Sequence, residues 1–506
     1  MARSRLEGLL IAVDVGTSGA RAAALDLDGR RIRESRRSYP TTSPRPGWAE
    51  QDGRAWRSAA IGALGDLVRR LGADGLGSGT DVRAIGLTGQ CPSVVLVDRQ
   101  ARPVTPGLIY RDNRATAEAA SLRQRFGDGA MHERTGHVPS SFHIAPKLLW
   151  LRAHDPAAFG RASLALQPRD LVALALTGDV ATDGTHAGAT LLYDLRAAAW
   201  DQRMLGDLGV DPSILPPLLP SGAIVGGLRS AIASRVGLPV GLPVILGGAD
   251  SQACALGAGV IGPGAVSEMA GSSTCLNAAV LAPLPVLAVT HYPHVVPGPF
   301  TTETGINTTG AAVAWLAGLL YGGRSGRPSA TDYARLDAEA AAVPPGADGV
   351  VAIPVLGDGE RTDPDIRGAF TGLSLRHGRA ALARSLMEGV AFAIADQLEL
   401  LREGGAPVTE LRISGGDSRL GSWNRIKADV LGIPVLTVPG DAAVSGVAML
   451  AGLGVGVYRD PAEAIARCVR PDPAIEPDPT VRATYDDAAF RSRALAGSAA
   501  IRETPG

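Results

Sequence analysis

The chain has 506 residues, 45% hydrophobic and 20% charged, with a formal net charge of −1. That length exceeds one ordinary hydrophobic core and predicts two or three domains, while the near-neutral balance gives no reason to expect a nucleic-acid or membrane partner. Lys147 and Lys427 are the only lysines, so any mechanism that needs a catalytic lysine has just those two candidates.

In chain order, "LLIAVDVGTSGARAAALDLDG" (9–29) comes first and reads as strand, small-residue turn, strand, with one acid, Asp14, inside the apolar run. The run after Arg3 and Arg5 meets that acid early and lacks a small-residue cleavage site, so no signal peptide is expected. No uninterrupted apolar stretch reaches roughly 18 residues, so no membrane span is expected either. A polar stretch, "SYPTTSPRPGWAEQDGRAW", leads to a helix over Ala55 to Arg70, with Trp56, Ile61, Leu64, Leu67 and Val68 near one face. "RAIGLTGQCPSVVLVDRQARPV" reads as strand, glycine break, strand, with a turn near Asp98. "PKLLWLRAHDPAAF" predicts a helix beginning at Pro146. A Pro- and Gly-rich approach then precedes "LPVILGGAD", read as the strand that opens a second domain.

"AVSEMAGSSTCLNAAVLA" (265–282) repeats the grammar of the opening stretch: a strand with one acid, Glu268, a Gly-Ser-Ser-Thr break, and another apolar strand. Two such hairpins suggest a duplicated domain. A helix over Arg379 to Leu401, the strand and glycine turn "ELRISGGDS", and a helix around Trp423 to Leu431 come next. The tail beyond Val469 carries nothing catalytic. Strands alternating with helices across both halves predict an α/β architecture. Cys91, Cys254, Cys275 and Cys468 show neither CxxC pairing nor metal-ligand spacing, which fits a reduced, cytoplasmic compartment without a zinc site.

A tight Gly-Thr-Ser-Gly turn leaves backbone N–H groups and hydroxyls to point at an anion, and its small side chains let a phosphate approach. An acid just before it, Asp14, can hold Mg²⁺ against the same phosphates, or it can simply cap its own turn. The site is not a P-loop: GxxxxGK[ST] is absent, as is the protein-kinase set. Asp250, after two glycines at the end of an apolar strand, is placed to take a proton from an alcohol attacking a γ-phosphate, or to cap the next helix. Gly257, Gly259 and Gly262 match the dinucleotide fingerprint but come after a helix-like segment and lack the later acid, so they read as a helix end and loop.

Together these pieces resemble the FGGY carbohydrate kinases over almost the whole chain. The resemblance runs through "VDVGTSGARAAALD", "GWAEQD", "GLTGQCPSVVLVDRQARPVTPGLIYRDNRA", "APKLLWLRAHDPAAF", "LTGDVATDGTHAGAT", "GGADSQACALGAG", "DGERTDPDIRGAFTGLSLRHGRAALARSLMEGVAF" and "SGGDSRLGSWNRIKADVLGIPV", in family order. Within the family it is nearest the xylulokinase-like group. The resemblance implies an α/β fold of two duplicated actin/hexokinase-like (ribonuclease H-like) ATPase domains with an inter-domain cleft. It divides the chain into 1–245, mainly sugar-binding, and 246–506, mainly ATP-binding. It implies transfer of the γ-phosphate of ATP, with Mg²⁺, to a sugar hydroxyl, the sugar being a ketopentose such as xylulose or another ketose or polyol. It leaves a homodimer open.

By position, the resemblance makes Asp250 the catalytic base and Asp14 the acid that organises metal and phosphates. Gly16, Thr17 and Ser18 match the first phosphate hairpin, and Gly271, Ser272 and Ser273 the second. Gly310 falls at a nucleotide-contacting glycine, and Gly415, Gly416, Asp417 and Ser418 match the adenosine loop, where Gly415-Gly416 also reads as an ordinary strand-to-helix turn. Gln90, Cys91 and Pro92 line the sugar, Ser251 stands next to the base, and Asp112 has either a substrate-side or a structural role. The departures fall on these positions: Cys91-Pro92-Ser93 replaces Met-His-Gly, Ser251 replaces Asn, and Asp417 replaces a third glycine. Losing the histidine and a backbone N–H leaves phosphoryl transfer intact but weakens the case for D-xylulose itself, since small changes at sugar contacts can redirect specificity. A glycerol kinase is disfavoured because its Arg-Glu pair has no counterpart at Gln90-Cys91. A non-catalytic sugar or nucleotide sensor, or a chaperone-like or cytoskeletal ATPase of the wider superfamily, are the rivals.

Overall fold

The computed structural model describes residues 8–322, 326–357, 359–360, 365–498 and 501. The chain forms two units. The first takes residues through Ile261 together with Val280–Thr301 and Ala442–Val469; the second takes Gly262–Ala279, Thr302–Asp441 and the residues from Arg470 on.

The first unit is built on a six-stranded sheet: β1 (Leu9–Val15), β2 (Gly19–Asp26), β3 (Arg31–Ser38), β4 (Val82–Gly89), β5 (Ile224–Gly227) and β6 (Pro243–Ala249), in the order β5-β6-β4-β1-β2-β3. β1 and β2 form the expected hairpin, antiparallel, with Asp14 opposite Arg21 and Val15 opposite Ala20. β4 lies parallel to β1 on one side and to β6 on the other. Buried on both faces, β1 is apolar at nearly every position. Leu9, Ile11, Val13 and Val15 face a core made with Trp56, Leu64 and Leu67. Leu10 and Ala12 face a second core made with Val444, Val447 and Leu450. Asp14 continues the Leu10–Ala12 row at the strand end, since side chains alternate along a strand. The carboxylate therefore stands at the rim of a core rather than within it.

Helix α1 (Gly53–Ala73) starts two residues ahead of the expected Ala55, because the Asp52 side chain caps it by accepting from Arg54 N. The helix expected from Pro146 begins at Ile144 and ends at His154, which puts the proline within the first turn, where its missing N–H costs nothing. β3 carries no apolar alternation and has no counterpart among the sequence expectations. It is an edge strand whose Arg31, Arg33, Arg36 and Arg37 are exposed, a charge pattern that discourages further pairing.

The expected division at 245/246 does not coincide with these units. "LPVILGGAD", read as opening the second domain, is β6 and pairs with β4 inside the first sheet. The first unit also reclaims the helix Ala442–Gly454, which packs on β1, β4 and α2 (Asp250–Gly257). There Gly446 and Gly257 are essential: a Cβ would stand 1.9 Å from Ala253 O or 1.8 Å from Ala442 O.

The second unit repeats the plan. Its sheet contains β7 (Gly264–Ala270), β8 (Thr274–Val280), β9 (Phe300–Ile306), β10 (Val408–Gly415) and β11 (Val435–Thr437), in the order β9-β8-β7-β10-β11. β7 and β8 are an antiparallel hairpin, with β10 parallel to β7 and β11 parallel to β10. The order matches β3-β2-β1-β4-β6 of the first unit, so the repeat read from the two hairpins is a repeat of fold. Helix α3 (Gly310–Tyr321) comes after β9, and α4 (Arg379–Glu403) and α5 (Gly421–Leu431) flank β10 in the chain, each of these two close to its expected span.

Gly247 gives a direct test of this packing. Its φ is +73° and a Cβ there would lie 1.6 Å from Leu87 O on β4. Gly247→Ala is expected to destabilise the first unit by about 3 kcal/mol, read as a lowered unfolding midpoint in a thermal scan.

Candidate active site

In the first unit the candidate residues sit just past the ends of three neighbouring strands. Val15 pairs with Gly89, and Gly89 with Ala249, so Gly16, Gln90 and Asp250 leave one edge of the sheet side by side. With strands about 4.8 Å apart, the outer two stand about 10 Å from each other. The Gly16–Ser18 turn is closed by Gly16 N donating to Gly19 O at 3.1 Å. Gln51 Nε2 donates to Thr17 O at 2.7 Å, Tyr39 OH donates to Gly16 O, and Arg36 donates to the Ser18 hydroxyl. Asp14 is half-buried and ion-paired, Oδ2 to Arg21 Nη2 at 3.2 Å. Burial first, then the Asp14 charge, pushes the Tyr39 hydroxyl well above the usual phenol range.

Gln90 is tied to the same turn. Its N–H donates to Val15 O at 3.0 Å and its Nε2 to Gln51 Oε1 at 2.8 Å, while Oε1, buried, has no partner among the described residues. Gln51 Oε1 also accepts from Trp56 Nε1 at 2.7 Å, which makes Gln51 the hub joining α1, the turn and Gln90. The stretch "GWAEQD" gives no hint of this role for Gln51, because its partners at Thr17 and Gln90 are distant in the chain and leave no local spacing to read. Cys91 and Pro92 come next, joined by a cis peptide. Burial, then the charges of Asp250 and Asp183, pushes the Cys91 thiol well above its ordinary value.

Asp250 is the first residue of α2, and Ala249 takes the N-cap position. Half-buried, its Oδ1 accepts from Ser251 N at 3.0 Å, and Ser251 itself is buried.

Asp112 is held by structural hydrogen bonds. Fully buried, its oxygens accept from Ala49 N at 2.6 Å and from Arg114 N, Nε and Nη2 at 3.2, 2.8 and 2.8 Å. Arg114 in turn bonds Glu50 at 2.7 Å and lies over the Trp48 ring at 3.7 Å. Neither lysine is an open catalytic group: buried Lys147 donates to Phe142 O at 2.7 Å, and buried Lys427 to Glu268 Oε1 at 2.6 Å. Burial brings Lys147 down to about 7.

In the second unit the remaining candidates converge. Ala270 pairs with Gly415, which puts the Gly271–Ser273 turn beside the Gly415–Gly416 loop. Gly271 N donates to Ser273 O at 3.0 Å, and Ser272 O accepts from Thr309 N and Ala311 N at 3.1 and 3.0 Å, bringing the start of α3 against the turn. Only glycine fits at the contacts: a Cβ on Gly310 would stand 2.3 Å from Gly271 O, and one on Gly415 2.0 Å from Ala270 O. Ser418 Oγ donates to Gly415 O at 2.8 Å and closes the loop. Asp417 reaches into the same notch, its Oδ1 3.1 Å from the Cβ that Gly310 lacks, and its Oδ2 has no partner among the described residues. These contacts pack the turn, the loop and the start of α3 together with no bulky side chain between them. Among the described residues no three His, Cys, Asp or Glu side chains form a metal cage. Mg²⁺ bridged by nucleotide phosphates needs only one or two carboxylates, and Asp14 beside its turn is of that type.

Two copies of one α/β sheet, each with a small hydroxyl-bearing hairpin, and a carboxylate at a strand end define a phosphotransferase of the duplicated ATPase fold. The chain belongs to the FGGY family of carbohydrate kinases: the model of the family's N-terminal domain matches residues 9–257, and that of its C-terminal domain residues 266–455. It is 28% identical to a xylulose kinase of Bacillus subtilis over 92% of each chain. It is 31% identical to a glycerol kinase of Leptothrix cholodnii over 89% of this chain and 91% of that one. The crystal structure of xylulose kinase from Rhodospirillum rubrum superposes with a TM-score of 0.86 at 33% identity, covering 96% of this chain and 98% of that one. The protein is a sugar kinase, and ATP use comes with the family. Among the described residues no helix is long and apolar enough to cross a membrane.

Asp417 yields a prediction with a sign. Burial pushes its carboxyl up to about 6, with Lys427 opposing and Glu268 reinforcing. A raised folded-state value means stability that is present below about pH 4 and lost as pH rises through about 6. Asp417→Asn is expected to stabilise the second unit at pH 8 relative to pH 4 by about 2 kcal/mol, read from unfolding midpoints at the two pH values.

Proposed function

We propose that this kinase phosphorylates a ketopentose such as xylulose, with Asp250 as general base. The observation that supports the reading is the common strand edge of the first unit, where Gly16, Gln90 and Asp250 leave neighbouring strands side by side and Asp14 lies two residues before the turn. The sugar lies against the stretch Gln90, Cys91 and Pro92, at the end of β4. Asp250 takes the proton of the acceptor hydroxyl as its oxygen attacks the γ-phosphorus. The bond from that phosphorus to the β-phosphate oxygen breaks, and ADP leaves with the electron pair.

The nucleotide belongs to the second unit, held by Gly271, Ser272, Ser273, Gly310 and the Gly415–Ser418 loop. In the first unit, Thr17 and Ser18 are the phosphate-type hydroxyls of the turn. Backbone N–H groups carry the developing charge, which suits a chain with two lysines already engaged elsewhere. Asp14 would hold Mg²⁺, which when bound supplies charge neutralisation at the transferring phosphoryl group.

A second reading, a polyol kinase, has its own support in the glycerol kinase relative and in the missing Met-His pair at Cys91-Pro92. Coupled ADP-release assays across pentuloses, hexuloses, glycerol and other polyols distinguish the two. The expected outcome is the highest kcat/KM on a ketopentose; a preference for glycerol moves the assignment to the second reading, and no turnover on any acceptor moves it to a sensor. Asp250→Asn is expected to lower kcat about 10³-fold in folded protein, in line with loss of a general base.

A further inference from the structure

β6 reaches Asp250 through an irregularity. Its pairing with β4 runs Val244–Ile85 and Ile245–Gly86, then resumes at Gly248–Thr88 and Ala249–Gly89, so β6 carries one extra residue. A bulge of this kind turns backbone groups out of the ladder and re-aims the residues beyond it. In β6 the residue just beyond the bulged end is Asp250, the carboxylate assigned as base.

Buried side chains grip each of the four residues before Asp250. Arg169 Nη1 donates to both Leu246 O and Gly247 O at 2.9 Å. Thr88 Oγ1 donates to Gly248 O at 2.7 Å. Ala249 N donates to Thr185 Oγ1 at 2.8 Å. Arg169 and Thr185 are themselves joined through Asp183, which is fully buried. Asp183 Oδ1 accepts from Arg169 Nη2 at 3.0 Å and His186 Nδ1 at 2.9 Å, and Oδ2 from Thr185 Oγ1 and Ser221 Oγ, both at 2.7 Å. Burial opposes the charge on Asp183, but Arg169 and the bonds from His186 and Thr185 hold its carboxyl well below the usual range. The donors around it favour its ionised form.

We infer that Arg169, Asp183 and Thr185 are positioning residues that lock the bulged end of β6 and so aim the Asp250 carboxylate at the acceptor hydroxyl. The inference rests on Asp250 being the base. A buried ionic cluster of this size needs a reason, because an apolar core of equal volume is as stable or more so. Aim supplies one: a misplacement of about 1 Å at a reacting group costs about 10²-fold in rate. No role was readable from "LTGDVATDGTHAGAT" alone, since the partners at Leu246, Gly247 and Ala249 lie far along the chain.

Thr185→Val removes the acceptor for Ala249 N at nearly constant volume, and Thr185→Ser restores it. In the full-length enzyme with the acceptor that gives the highest turnover, Thr185→Val is expected to lower kcat roughly 10- to 100-fold while KM for ATP stays within about twofold. Thr185→Ser is expected to recover kcat to within about threefold, and Asp250→Asn/Thr185→Val to lose no more than Asp250→Asn alone. Thr185→Ala, which removes the same acceptor without bulk, gives the same reading if valine disturbs folding in a thermal scan. A folded Thr185→Val or Thr185→Ala enzyme with kcat within twofold of the parent, beside an inactive Asp250→Asn, overturns the positioning role and leaves the base assignment standing. An active Asp250→Asn overturns the base assignment itself.

Discussion

Three parallel strands ending at one level are the constraint on which the first unit depends. Val15, Gly89 and Ala249 are laterally paired, so the residue after each strand is delivered to the same edge however far apart the three lie in sequence. That register explains an acid within an apolar strand. Leu10 and Ala12 pack under the helix Ala442–Gly454, and Asp14 occupies the next place in their row, where the cover ends. The rest of the edge is built by hydrogen bonds that converge on it, with Gln51 linking α1, the Gly16–Ser18 turn and Gln90.

The second unit applies the same strand order to a different surface. Its edge is lined by backbone together with the Asp417 carboxylate: Gly271, Gly310 and Gly415 crowd together, and at the latter two neighbouring carbonyls stand so close that no side chain fits. The acid of its hairpin, Glu268, is turned inward and neutralised by Lys427, whose ammonium also lies 4.5 Å from the centre of the Trp423 ring. Removing either partner of that pair would strand a buried charge, at about 3–5 kcal/mol. The acids of the two hairpins are not equivalent: Val15 and Ala270 end their strands in matching pairs with Gly89 and Gly415, so Glu268 stands one place further from its turn than Asp14 and faces the other side of its sheet.

The fold was legible because both its periodicities and its repeat are local. "LLIAVDVGTSG" and "AVSEMAGSS" announce a strand and a turn without reference to anything distant, and both hairpins form as read. The boundary between units was not legible, because a Pro- and Gly-rich approach to β6 looks like a linker while β6 itself belongs beside β4. β3 escaped notice because an edge strand covered in arginine has no apolar alternation. At the site, small-residue turns and strand-end acids stood out by composition. Gln51, Arg169, Asp183 and Thr185 did not, because their partners are brought near only by the sheet. Asp112 gave no local signal of its partners either, because Ala49 reaches it only in the folded chain.

The first unit is not a continuous stretch of chain. Residues 280–301 and 442–469 come back to it after long excursions, and the returning helix Ala442–Gly454 covers one face of β1 and β4. During synthesis from the N-terminus, that face of the first sheet emerges long before its cover does. Leu10, Ala12, Ala84 and Ile245 lack that helix on the nascent chain until most of the second unit has been translated. Completion of the earlier-made lobe is therefore timed by the later-made one, and a truncation anywhere before residue 469 leaves both units unfinished.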